Sequence, residues 1–170
     1  TAQLITFLRA GLASLREDST TLAREFKAIE AYLLIMKTRM QDRLTFELDL
    51  PESLGGIIMP PAMLISLVEN AIKHGLEPHP DGGRISVMAR LENERLVLTV
   101  RDTGLGVGHG TSTAGGGFGL DNIRQRLQAL YAIHARLIVS ENVPHGFVAV
   151  IDLPLNAELK KTQTVAHEQN

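Results

Sequence analysis

The 170-residue sequence has no cysteine and no tryptophan, and aromatic residues make up only 4% of it. Without cysteine there is no disulfide scaffold, no thiolate metal site and no cysteine nucleophile; the composition fits a reducing compartment. Without rings there is no platform on which single-stranded bases could stack. An excess of one charge is missing too. A net charge of -2 and a pI of about 6.3 supply no basic field for nucleic acid or an anionic membrane. No apolar run approaches the roughly 20 residues of a membrane span. The start, Thr1-Ala2-Gln3, has neither a methionine nor a signal-peptide pattern, so the chain reads as a piece of a longer protein. What is present is globular: 44% hydrophobic and 21% charged residues, enough for one buried core and too apolar for disorder.

Residues 1–41 read as helical. Leu22, Phe26, Ile29, Leu33, Met36 and Met40 alternate in steps of four and three, a heptad seam, with Thr21 placed to cap it. The seam suits a helix packed on its own domain. It equally suits a helical hairpin, with residues 2–16 as partner, that also meets a second subunit. Leu44 to Leu50 alternates as a half-buried strand that Pro51 ends. Pro60-Pro61 is expected to open a helix that runs to about His74, buries Leu64, Leu67, Val68 and Ala71, and stops at Gly75. Strands follow near Ile85–Ala89 and Leu96–Arg101, joined by Glu92-Asn93-Glu94. Leu120, Ile123, Leu127 and Leu130 mark another amphipathic helix, and Leu137–Val139 and Phe147–Leu153 a closing hairpin around Pro144-His145-Gly146. Met36, Met40, Met59 and Met63 read as core filler. The polar stretch 156–170 reads as a disordered tail, and its His167-Glu168 pair as inert.

Three segments carry candidate chemistry. In Leu67-Val-Glu-Asn-Ala-Ile-Lys-His-Gly75, Asn70, Lys73 and His74 share one face of an α-helix. An Asn oxygen is a suitable hard ligand for Mg²⁺, and Lys73 a point charge for phosphate; an ordinary solvated face would look the same. In Asp102-Thr-Gly-Leu-Gly106, directly after a strand, a carboxylate can accept the exocyclic amine of adenine and would repel guanine's carbonyl. Gly104 and Gly106 let backbone approach a flat ring; a plain Asp-Gly turn is the bland alternative. Gly115-Gly-Gly-Phe-Gly-Leu120 opens a helix, whose free N–H groups and dipole make an anion site. No Gly-Lys-Ser/Thr follows, as a Walker loop requires. Nor does an acidic residue end a later strand about 20 positions on, as a Rossmann fingerprint requires.

In this order the segments resemble the N, G1 and G2 boxes of the GHKL ATP-binding superfamily, and most closely those of its LytS-type sensor histidine kinases. Pro60-Pro61, Arg39-Met-Gln-Asp-Arg-Leu44 and Gly119-Leu-Asp-Asn-Ile-Arg-Gln-Arg-Leu127 extend the likeness over roughly residues 5–155. The resemblance implies an α/β fold of the Bergerat type: a two-layer sandwich, a mixed sheet with helices on one face, preceded by an N-terminal helical hairpin. It divides the chain into a helical remnant of the dimerisation and phosphoacceptor region (1–41), an ATP-binding catalytic domain (42–155) and the tail. It implies ATP and Mg²⁺ as cofactors, with Asn70 the Mg²⁺ ligand and Lys73 and His74 near the phosphates. Asp102 would hold the adenine amine, with Gly104 and Gly106 seating the ring. Gly117, Phe118, Gly119 and Leu120 would meet the phosphates, and residues 107–118 would form a lid.

The implied activity is that of a protein histidine kinase whose acceptor histidine lies upstream, since the family's Pro-His-Phe-Leu-Phe-Asn-like stretch is missing. A response regulator would be the partner, and the full-length protein a homodimer. This chain would be a cytoplasmic domain, reaching an inner membrane only through segments outside it. Two departures stand out: Gly146-Phe147 replaces a Gly-Thr pair near adenine, and no Lys or Arg lies between Arg101 and Arg124. Charge on the γ-phosphate then falls to Mg²⁺, helix N–H groups, Lys73, or Arg124 and Arg126. The competing readings are a GHKL ATPase without kinase activity, disfavoured by Ser66 where such enzymes place a water-activating Glu, and a non-catalytic nucleotide-sensing or dimerisation module.

Overall fold

The computed structural model describes residues 19–106 and 118–155. The expected hairpin partner (2–16), most of the expected lid with Gly117, and the tail lie outside the described residues. Five strands form one mixed sheet in the order β2-β4-β5-β7-β6: β2 Leu44–Asp49, β4 Gly83–Glu92, β5 Arg95–Asp102, β6 Arg136–Glu141 and β7 Phe147–Pro154. Only β2 runs parallel to its neighbour, β4; the other pairings are antiparallel. Period-2 alternation puts Ile85, Val87, Ala89, Leu96, Leu98, Val100, Ala149, Ile151 and Leu153 on one buried face. Among the described residues three helices cover that face. α1 (Leu22–Met40) lies over β2, α2 (Met63–Ala71) over β5 and α3 (Phe118–Tyr131) over β6. The mixed sheet with helices on one face is the architecture the resemblance implies.

The heptad seam of α1 is buried within this chain, from Leu22, Ile29 and Leu33 at 0% exposure to Met36 at 6%. The Thr21 hydroxyl accepts from Arg24 N–H at 3.3 Å, the cap that the sequence suggests. A two-stranded antiparallel ribbon, β1 (Thr20–Thr21) with β3 (Ile58–Met59), brings the chain to the helix start. There Leu22 and Ala23 N–H donate to the carbonyls of Ile57 and Gly55, both at 2.9 Å. β4 and β5 form a hairpin in which Asn93 and Glu94 both take positive φ, 50° and 61°, as a two-residue type I′ turn requires.

Three expectations need correction. Pro61 does not open α2: the chain turns at Pro61–Ala62, with Ala62 left-handed at φ 62°, and the helix begins at Met63. The turn is held because the Ala62 N–H is taken by a carboxylate on α1. Nor does Gly75 stop the helix. A π-helical turn, Ile72–Leu76, continues past it, so the simple α spacing of Asn70, Lys73 and His74 does not hold. Finally, Leu130 is 48% exposed, and Tyr131 is buried in its place beside Leu120, Ile123 and Leu127.

Candidate nucleotide-binding site

α2 and its π-helical turn run toward the end of β5, where Asp102 is 1% exposed. Its Oδ1 accepts the Gly104 N–H at 2.8 Å. Burial pushes its pKa up to about 6, against the opposing pull of the Gly104 and Phe147 N–H groups and of His145. An acid near neutrality in a closed notch is poised to accept a hydrogen bond from a ligand amine. Two glycines make the notch. A Cβ on Gly104 would stand 2.2 Å from the Gly75 carbonyl oxygen, and one on Gly75 would stand 2.9 Å from Asp102 Oδ1. Side chains of any size would separate the π-helical turn from the carboxylate. The Leu105 N–H closes the contact by donating to Gly75 O at 3.0 Å.

The β6–β7 loop supports the same corner. Asn142 Nδ2 donates to the Asp102 carbonyl at 2.8 Å, and His145 Nδ1 lies 3.1 Å from the Gly104 carbonyl oxygen. His145 stacks on His79, their ring centroids 5.9 Å apart. Gly106, at φ 74°, reaches the same loop, where its Cβ position lies 3.0 Å from Gly146 O.

Asn70 is half-buried on α2 and faces the first turn of α3: a Cβ on Gly119 would lie 3.9 Å from Asn70 Oδ1. Gly119 is exposed, whereas Leu120 plants its side chain in the core at 3%. A helix that begins at Phe118 leaves its first N–H groups without intrahelical partners. Lys73 and His74, both exposed, lie on the π-helical turn between the Asn70 end and the Asp102 end. α2 and its π-helical turn therefore connect two contact pairs, Asn70 with Gly119 at one end and Gly75 with Asp102 and Gly104 at the other. Gly117 and the Phe118 side chain lie outside the described residues.

Arg124 and Arg126 are engaged elsewhere. Arg124 pairs with Asp121 at 3.0 Å, and Arg126 donates to the Pro61 carbonyl at 2.7 Å. Sequence reasoning missed Glu25, Asn142 and the structural use of Arg126. Asn142, opening a turn that contains Pro144 and Gly146, carried a usable signal; a carboxylate on the heptad-bearing helix carried none. Among the described residues no group of three or more His, Asp or Glu could hold a metal, so a metal here would lean on a single protein oxygen and its ligand's phosphates, as Mg²⁺ does. No described helix is long and apolar enough to cross a membrane.

A one-sided α/β sandwich with a buried acid at the end of a central strand and a glycine-opened helix beside it defines a nucleotide-binding ATPase domain of the GHKL kind. The chain belongs to the histidine kinase-, DNA gyrase B- and HSP90-like ATPase family, whose model matches residues 61–157. Within it the chain is of the LytS type. It is 36% identical over 145 residues to the sensor protein LytS of Staphylococcus haemolyticus (strain JCSC1435), covering 79% of this chain and 25% of that protein. It is 30% identical over 155 residues to the sensor histidine kinase YesM of Bacillus subtilis (strain 168), covering 90% of this chain and 27% of that one. The chain thus spans about a quarter of the length of these curated relatives.

Among solved structures, the blue-light activated histidine kinase of Erythrobacter litoralis EL346 matches with a TM-score of 0.62 at 16% identity, over 92% of this chain and 54% of that one. The histidine kinase AdeS of Acinetobacter baumannii matches at 0.57 and 21%, over 91% and 76%. At these identities the likeness is one of fold.

Proposed function

We propose that this chain is the ATP-binding catalytic region of a two-component sensor histidine kinase, presenting Mg²⁺-ATP to a histidine upstream of residue 1. The phosphoryl group would pass onward to an aspartate of a response regulator. Family membership supports ATP binding as such; the kinase reading rests on the names of the relatives and on the site. The observation that carries it is the buried Asp102 carboxylate in its glycine notch, joined by α2 to the Asn70–Gly119 approach.

In this reading Asp102 accepts the adenine N6 amine, while Gly75 and Gly104, packed on each other, hold the π-helical turn against the carboxylate. Asn70 offers its carboxamide oxygen to Mg²⁺, and the first N–H groups of α3 meet phosphate oxygens. Bound Mg²⁺ would neutralise charge on the triphosphate. Lys73, exposed on the π-helical turn, adds a cation between the two ends of the site. Phosphoryl transfer asks a protein mainly for such positioning and charge neutralisation. The acceptor histidine, its general base, the second subunit and any inner-membrane anchor belong to segments outside this chain. The hydrolytic alternative needs a carboxylate one turn before Asn70. Ser66 stands there, and its Oγ donates to the Ala62 carbonyl at 2.5 Å, so that position offers no carboxylate to activate water.

Calorimetric titration with ATP, in Mg²⁺ and in EDTA, tests the binding step; adding a histidine-bearing upstream fragment tests transfer. Asn70→Ala should remove the Mg²⁺-dependent part of the affinity and abolish transfer. A variant with unchanged Mg²⁺ dependence would take Asn70 out of the metal site.

A further inference from the structure

α2 has no cap of its own. Ala62 stands at its N-cap position in a left-handed conformation with no side chain able to accept a hydrogen bond, although the first N–H groups of any helix need acceptors. The acceptor comes from another helix. Glu25 of α1 is 4% exposed, and its Oε1 accepts the Ala62 N–H at 2.8 Å. Its Oε2 is buried and makes no hydrogen bond of good geometry. Burial raises the Glu25 pKa, while the N–H groups of Ala62, Ile65 and Leu64, and the charge of Arg126, work in the opposite direction. Arg126 completes the junction from α3 by donating to the Pro61 carbonyl, one residue before Ala62. One buried carboxylate therefore sits where α1, the start of α2 and α3 converge.

The other end of α2 is tied separately. Arg39 pairs with Glu77, and Arg43 donates to the carbonyls of Glu77, His79 and Pro80 at 3.0, 2.6 and 2.9 Å. Leu105 N–H holds Gly75. With that end pinned, a loosened start would let α2 pivot about the Asp102 corner. The pivot would leave the Gly75–Gly104 notch in place and change the approach of Asn70 to Gly119.

We propose that Glu25 is a positioning residue for the nucleotide site: a cap supplied by α1 that, through the Pro61–Arg126 bond, sets the spacing between the phosphate-facing residues of α2 and α3. This inference rests on the nucleotide-binding reading above. It also makes α1 the mechanical input to that spacing, because the same helix grips both ends of α2.

The test compares the 170-residue chain with Glu25→Ala, Glu25→Gln and, as a control on the exposed face of α1, Glu30→Ala. Mg²⁺-ATP affinity is read by calorimetry, adenosine affinity by ligand-observed NMR, and folding by circular dichroism and urea denaturation. Glu25→Ala should weaken Mg²⁺-ATP binding about tenfold and leave adenosine binding unchanged. Glu25→Gln, which keeps one acceptor for Ala62, should fall between. Glu25→Ala and Arg126→Ala should be non-additive, as groups sharing one junction are.

Equal affinity for Mg²⁺-ATP in wild type and both Glu25 variants overturns the proposal. So does a parallel loss of adenosine and Mg²⁺-ATP that tracks unfolding in both variants, because that is a purely structural role. A wild-type chain that binds no adenine nucleotide sinks the nucleotide-binding reading itself, and this inference with it.

Discussion

Replacing Asp102 by Asn should make the free protein more stable at neutral pH and a poorer binder of ATP. The carboxylate is 1% exposed and burial holds its pKa near 6 instead of 3.8. A group whose pKa is raised on folding contributes its stability in full below the unfolded value and loses it as pH rises through the folded one. At about 1.4 kcal/mol per unit, a rise of about two units means that ionised Asp102 costs the folded state about 3 kcal/mol at pH 7. The substitution removes that cost. It keeps the oxygen that accepts from Gly104 but can turn an amide nitrogen toward the Phe147 N–H, which returns about 1 kcal/mol. The net expectation is a gain of about 2 kcal/mol at pH 7 that vanishes near pH 4.

Urea denaturation of both proteins between pH 4 and 8 measures the difference directly and cancels the titration of every other carboxylate. Calorimetry at pH 7.5 supplies the other half: affinity for ATP should drop, and the wild type alone should lose affinity as pH falls through about 6. A variant less stable than wild type at pH 7, or a stability difference independent of pH, would refute the desolvated-charge account. Unchanged ATP affinity would remove Asp102 from the base pocket.

Two further outcomes follow from the same geometry. Gly104→Ala forces a Cβ to within 2.2 Å of the Gly75 carbonyl, a backbone atom that cannot rotate away. It should cost about 2–3 kcal/mol in denaturation and abolish ATP binding. At the other end of the sheet, Asp152 accepts from Arg95 at 2.6 Å and from Arg136 at 2.8 Å. Burial pulls its pKa upward, but the two guanidiniums hold it below 3.8 on balance. Its contribution is therefore present above the unfolded pKa and lost as pH falls through the lower folded value. Asp152→Ala should destabilise the chain by about 2 kcal/mol at pH 7 without affecting nucleotide titrations.

The strands and the helical seam of α1 were legible because their periods of two and of three-to-four leave a mark on every residue, and the core faces follow that mark closely. The helix boundaries were not. Pro60-Pro61 looked like a helix start because proline tolerates the first turn, but the N–H that decides the matter belongs to Ala62 and its acceptor comes from residue 25, 37 positions away. Gly75 looked like a stop for a similar reason. Glycine does end many helices, but here it is needed bare because Asp102 and Gly104 press against it. In the candidate site, the residue types and their order were readable, while the supports were not. The side chains of His145, Glu25 and Arg126 bond to backbone atoms of distant residues, and a backbone partner leaves no trace in residue choice.

The five-residue π-helical turn after α2 has a geometric corollary. It inserts an odd step into the helical count between Asn70 and Gly75, and such single-turn insertions are frequent at functional sites. Rewinding the same residues as a plain α-helix, at about 100° per residue, would carry the glycine around the axis and away from its acid. The distance from the carboxamide to the notch is thus set by how five residues wind as well as by how many they are.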